Sequence, residues 1–301
     1  MMDATTLLQI GSTATVNASL CALVGCVLAR WWLLRAGARP QDGLLVHLRA
    51  WERSAAVLGL VGQGLAMWAA AAVMMGHTLP EAAAMLPTML AKTSYGRAGV
   101  VAFVFLACAS FMAWRSALTV FQCAAALGLL GLFALARASV SHGGEGGILT
   151  LGMAIEWLHL VLIALWVGGV AIAGWCVLPA AQMSAPTSAV LHRYLESLSL
   201  AATAALGGIV LTGVVNAWAR LGLPMHLVDT GYGLTLIVKL VCVGAAAALG
   251  GYNKLIGFPA LIRHDSASAK VIAILRLESV LLAGALVAAA VLTSQQPPAA
   301  M

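Results

Sequence analysis

The chain has 301 residues, of which 62% are hydrophobic and only 9% charged, and its formal net charge is +6. Soluble domains carry roughly 25% charged residues, so this composition excludes an ordinary soluble domain and places the chain in a bilayer. The basic excess gathers in the connections between apolar runs, where orientation in a membrane accounts for it and no nucleic-acid partner is implied.

Crossing about 30 Å of hydrocarbon takes roughly 20 apolar residues. On that measure, uncharged runs predict eight spanning helices: 6–30, 54–76, 96–114, 117–138, 150–180, 197–219, 232–253 and 272–293. The fold class is therefore all-α, a polytopic membrane protein. An amphipathic segment over 79–91 contains Pro80 and Pro87 and is too short to cross, so it is expected at the surface. Met1-Met2-Asp3 lacks the basic stretch of a cleaved signal, and the first run reads as a helix. Six cysteines lie inside apolar runs without C-x-x-C spacing and read as thiols packed between helices.

If the first helix starts outside, eleven of the sixteen Lys and Arg fall on the cytoplasmic side, while Lys92, Arg97, Arg137 and Arg220 fall on the other. This asymmetry predicts a bacterial inner membrane protein with both termini periplasmic. Trp31, Trp32, Trp51 and Trp114 then serve as interface anchors. Thr93-Ser94-Tyr95-Gly96 is echoed by Thr230-Gly231-Tyr232-Gly233. Four helices separate the copies, an even number, so the echo predicts two four-helix repeats in parallel orientation, residues 1–140 and 141–301.

The densest group of metal-capable side chains surrounds the fifth helix. His142 sits in a glycine-rich break, and Met153, Glu156 and His159 follow at i, i+3 and i+6 along one side of the helix. His77, Met74, Met75, Met85, Met89, Met225, His226 and Asp229 are predicted at the same face. Thioether and imidazole together suit copper, so the candidate metal residues are His142, His159, Glu156, Met153 and His77. A carboxylate just inside the hydrocarbon is costly without a partner, which singles out Glu156. Structural readings stand beside these. His159 could form an interhelical hydrogen bond to Glu156 or a backbone carbonyl, Met67, Met112 and Met183 read as packing, Met85 and Met89 as the apolar face of the surface segment, and His47, His192 and His264 as solvated. Lys239 and Glu278 lie deeper in their helices. A structural role is expected for them, with Glu278 paired to Arg276 or Arg193, and a place on an ion or proton route is the alternative.

These residues resemble the CopD family of inner-membrane copper-resistance proteins. The likeness runs through Ser141-His142-Gly143, Glu156-x-x-His159-x6-Trp166-x-Gly168-Gly169 and Thr212-Gly213-x-x-Asn216. It continues through Thr230-x-Tyr232-Gly233, Lys239, Asn253-Lys254, Arg276-x-Glu278, Thr293 and Pro297-Pro298. It covers the second half of the chain, and the first half shares mainly hydropathy and Tyr95-Gly96. The resemblance implies a copper-handling protein that works with a periplasmic chaperone of the CopC type and moves copper across the membrane, rather than an enzyme. The chain has no G-x-x-x-x-G-K-[ST] loop and no Asp-Lys-Thr-Gly motif, so no nucleotide drives transport within it. Two other classes fit the residues: a haem- or quinone-linked redox protein holding its group on an intramembrane histidine, and a factor that inserts copper into, or stabilises, a respiratory oxidase.

Overall fold

The computed structural model describes residues 3–39, 42–115, 119–141, 150–184, 188–263 and 268–298. Among these there is no strand. Helix α1 (Ala4–Ala36) begins at Asp3, whose carboxylate accepts the N–H of Thr6, and ends at Gly37 with φ 104°. Left-handed backbone of this kind favours glycine. Helix α2 (Gly43–Met75) ends the same way at Gly76. The predicted surface segment is α3 (Leu79–Lys92), with Pro80 in the first turn, where no helical N–H is needed. The Glu81 carboxylate accepts the Thr78 N–H there. Then come α4 (Ser94–Ala113) and α5 (Val120–Ala138).

The remaining elements are α6 (Leu151–Ile172), α7 (Leu178–Ser184), α8 (Ser188–Leu221), α9 (His226–Asp229), α10 (Gly231–Tyr252), α11 (Phe258–Arg263) and α12 (Ser268–Thr293). Helices α6 and α7 are joined by a π turn, Ala173–Val177, and α10 and α11 by another, Asn253–Gly257. Each turn stands just before a proline, Pro179 or Pro259. A proline ring clashes with the carbonyl four residues back, and a wider turn lets the helix continue past it. With those pairs taken as continuous, eight helices among the described residues are long and apolar enough to cross a membrane, as hydropathy predicts.

Two helices, α2 and α8, start two turns or more before their predicted positions. Helix α2 begins at Gly43 rather than 54, because Glu52 is buried and its carboxylate pairs with buried Arg30 of α1. Charges that read as a loop are thus neutralised inside the bundle. Helix α8 begins at Ser188 rather than 197, and the fully buried Tyr194 packs against Trp32 of α1, ring centroids 6.1 Å apart.

The bundle is built around α1 and α6. Helix α1 lies along α2 and α6, α6 along α8, α4 along α5, and α10 along α12. At the crossing of α1 and α6 the backbones themselves touch: a Cβ on Gly25 would fall on the Gly168 carbonyl, and one on Gly168 on the Cys21 carbonyl. Gly169 faces the other way, toward Leu198 of α8. The echoed tetrapeptides are matching helix starts. Thr93 and Thr230 are extended N-caps whose hydroxyls accept the N–H of Gly96 (2.8 Å) and Gly233 (3.0 Å). A side chain on either glycine would strike the backbone of the preceding short helix, at Met89–Leu90 or at His226–Leu227.

Gly168→Leu should force α1 and α6 apart and destabilise the protein by about 3 kcal/mol or more. Gly11→Ala, into open space, should stay within about 0.5 kcal/mol. Unfolding in detergent by a denaturant titration measures both. Arg30→Leu alone should cost about 3–5 kcal/mol by stranding Glu52, and the double variant with Glu52→Leu should recover most of that loss in the same assay.

Candidate functional site

A cavity of about 320 Å³ opens at the end of the bundle where the chain both enters and leaves, lined by Gln9 of α1, by Thr293 at the end of α12 and by Gln295 just beyond it. Its volume lies at the lower end of the usual range for ligand pockets. The walls are polar for a membrane protein. Gln63 and Met67 come from α2, Tyr95 from α4, Arg137 from α5, Glu156 from α6, Arg220 from α8 and Tyr232 from α10. Both echoed tyrosines therefore face one space.

Within that space Arg220 donates to Glu156 at 2.7 Å, and the two groups are 23% and 12% exposed. This is the partner that a carboxylate at such a depth requires. Arg137 stacks over Phe133, 5.8 Å from the ring centroid, and its Nη1 is buried without a hydrogen-bond partner. Two guanidinium groups face one carboxylate, so the cavity as it stands is net cationic.

One turn deeper on α6, His159 is buried at 7% exposure, and its Nδ1 lies 2.8 Å from Thr212 Oγ1 on α8. Thr212 donates its single hydroxyl proton to the Gly208 carbonyl at 2.7 Å. With that proton directed at Gly208, Thr212 accepts from Nδ1–H of the imidazole, and in this tautomer Nε2 carries the lone pair. A histidine whose remote nitrogen is fixed in this way is the usual arrangement of a metal-ligating imidazole. The interhelical hydrogen bond is therefore present, to Thr212 rather than to Glu156 or a carbonyl. Lys239 lies within electrostatic range of His159, Glu156 and Arg220.

The other predicted ligands are dispersed. Met153 is buried near the start of α6, six residues before His159 and so about 9 Å up the axis. His77 is 47% exposed beyond the end of α2, with its ring nitrogen 3.7 Å from Glu81. His142 lies outside the described residues. No three His, Cys, Asp or Glu side chains among the described residues form a metal-holding group. Met67, read as packing, lines the cavity. Met89 is buried while Met85 is exposed, so the two do not share one environment.

A second cavity, of about 190 Å³, lies toward the opposite end between α8, α10 and α12. It is reached along the same helix: Glu156 faces the first cavity and Trp166, ten residues or about 15 Å further on, faces the second. Trp166 donates to Glu278 Oε1 at 3.2 Å. Glu278 is thus joined neither to Arg276 nor to Arg193. Arg276 instead donates to the Gly174 carbonyl at 3.2 Å and stacks on Trp175 at 4.6 Å.

Arg137, Arg220 and Tyr95, named in the sequence for orientation or for the echo, were not among its candidate site residues, yet they line the cavity. The available signal was the pair of arginines ending long apolar helices, where a charge needs a reason.

The family described as copper resistance protein D matches residues 188–292, from α8 through nearly all of α12. The copper transport protein CutJ of Bacillus subtilis (strain 168) is 30% identical over 130 residues, which is 43% of this chain but 22% of that protein. The chain thus matches less than a quarter of this relative's length. No solved structure matches. The family match begins after α6, so Glu156 and His159 stand outside it while Thr212, Tyr232, Asn253 and Glu278 stand within it. Thr212-Gly213, Tyr232-Gly233, Asn253-Lys254 and Arg276-x-Glu278, which carry the CopD resemblance in the sequence, all lie inside the matched residues.

Proposed function

We propose that the protein handles copper in the bacterial inner membrane, taking the ion at its periplasmic face and passing it across. The observation that carries the reading is the line of groups on α6. Glu156 opens on one cavity, His159 waits one turn inward with Nε2 free to ligate, and Trp166 opens on the other cavity. The CopD-family match and the name of the relative supply the metal's identity. His142, His159 and Glu156 hold the ion, with Met153 and His77 on its approach, and a periplasmic chaperone of the CopC type delivers it. Both termini face the periplasm, so the larger cavity is the entrance. Residues 1–140 and 141–301 act as parallel four-helix repeats around it, a reading supported by the matching helix starts at Thr93 and Thr230.

Copper is a substrate here, and Glu156 becomes a ligand when the ion displaces Arg220. The net positive cavity favours an ion delivered with anionic ligands over a bare one, because like charges repel at close range.

Anaerobic Cu(I) titration of the purified protein against a competing chelator should show binding that is lost in the His142→Ala/His159→Ala double variant, and unchanged stoichiometry would overturn the site. Arg220→Gln should strengthen copper binding about tenfold, because the competing charged hydrogen bond, worth about 1.5–3 kcal/mol, is gone. Weaker binding in that variant would remove Glu156 from the ligand set. Cells lacking the protein should show altered total copper, whereas an oxidase-insertion factor would leave it nearly constant.

A further inference from the structure

The second cavity contains a carboxylate that no cation neutralises. Glu278 is 1% exposed. Its Oε1 accepts only the neutral Trp166 N–H, and its Oε2 has no hydrogen-bond partner. Each charged neighbour is engaged elsewhere. Arg276, on the same helix, points to Gly174 and Trp175. Lys254, which shares the cavity wall, donates to Thr203 Oγ1 of α8 at 2.7 Å. Helix α6 contributes Trp166 and no charge, α8 contributes Ser199 and Thr203, and the π turn after α10 contributes Asn253 and Lys254. The side-chain amide of Asn253 is buried with neither atom partnered, and it begins the π turn of the α10–α11 span, a backbone feature that recurs at functional sites. Gly250 lets α10 approach closely enough for this arrangement, since a Cβ there would lie 2.9 Å from Glu278 Oε1.

An ionised carboxylate with one neutral donor is poorly tolerated at such a position, whereas a neutral one is not. We infer that Glu278 is a proton-binding site, loaded and emptied through the cavity between α8, α10 and α12. On loading, hydronium in the cavity gives a proton to Oε2, one hydronium O–H bond breaking as the Oε2–H bond forms, which leaves the neutral acid and water; on emptying, the Oε2–H bond breaks and water takes the proton back. The cavity has room for water, and Asn253, Thr203 and Ser199 supply polar partners for it. A metal ion fits poorly. The wall holds no His, Met or Cys for copper, and a hard cation seeks about six oxygens, whereas here it would meet one carboxylate, the neutral oxygens of Asn253, Thr203 and Ser199, and a repelling ammonium. The site lies on the line that runs from Glu156 through His159 to Trp166, so a proton on Glu278 is placed to couple with movement along α6. The proton site goes beyond the copper reading and stands without it.

The test uses the full chain in lipid nanodiscs, free of copper, treated with dicyclohexylcarbodiimide. This reagent modifies protonated carboxyl groups in apolar surroundings, and mass spectrometry maps the adduct. Glu278 of the unaltered protein should be modified at neutral pH, at a rate that falls about tenfold per pH unit above the titration midpoint. In Glu278→Gln the adduct should vanish while copper titration still finds its site. No adduct at any pH, or a rate indifferent to pH, overturns the proposal. Protection by sodium at constant pH also overturns it, in favour of a cation site. Because the decisive measurement is made on the unaltered chain, it holds even where a variant fails to fold.

Discussion

The close crossing of α1 and α6 is the constraint on which the rest of the bundle depends. Apolar surface gives helices no reason to associate in lipid, which is itself apolar, so the attraction comes from atoms in contact and from the few hydrogen bonds available. Gly25 and Gly168 bring two backbones within touching distance, and Gly169 sets α8 against the other side of the same helix. Helices α2, α5, α8 and α12 then pack around this pair. Because α6 is held so closely, the groups it carries occupy fixed depths, and Glu156, His159 and Trp166 become a ladder between two cavities. The paired glycines of the family-like run are in this sense as much a part of the site as the histidine.

The bundle handles three of its carboxylates, Glu52, Glu156 and Glu278, in three different ways. Arg30 and Glu52 neutralise each other out of contact with the surroundings. Arg220 and Glu156 do so at the wall of a polar cavity, where the pair remains reachable and can be broken. Glu278 is left with a single neutral donor. The first arrangement holds helices together, the second can respond to a ligand, and the third responds to protons. Burial alone does not distinguish them, because Glu52 and Glu278 are equally hidden. The partner decides.

Hydropathy and length made the spans legible, and short length with two prolines identified α3. The ends of the spans were less legible. A window that stops at charge cuts α2 short at Glu52 and α8 short near Arg193, yet in the fold these charges belong to helices whose inward faces are buried. Helical spacing correctly placed Glu156 and His159 on α6 but carried no information about the neighbouring helices. It therefore missed both Arg220, 64 residues away from Glu156, and Thr212, 53 residues away from His159. Met67 read as filler because methionine is common in apolar helices, and only the convergence of α2 with α4 puts it at a cavity wall. Gly168-Gly169 was legible as a motif, but its reason, two backbones in contact, belongs to tertiary structure.

The π turn before Pro179 has an effect well beyond accommodating a proline. By loosening the regular ladder of the fifth span it leaves the Gly174 oxygen facing sideways, and this peptide dipole, with the Trp175 ring, serves as the counterweight for Arg276. A guanidinium satisfied by a carbonyl and an indole has no need of the acid two residues along its own helix. Two residues apart on α12, Arg276 and Glu278 point to different sides of the helix, and the irregular turn gives the guanidinium an acceptor of its own, so Glu278 is left unneutralised.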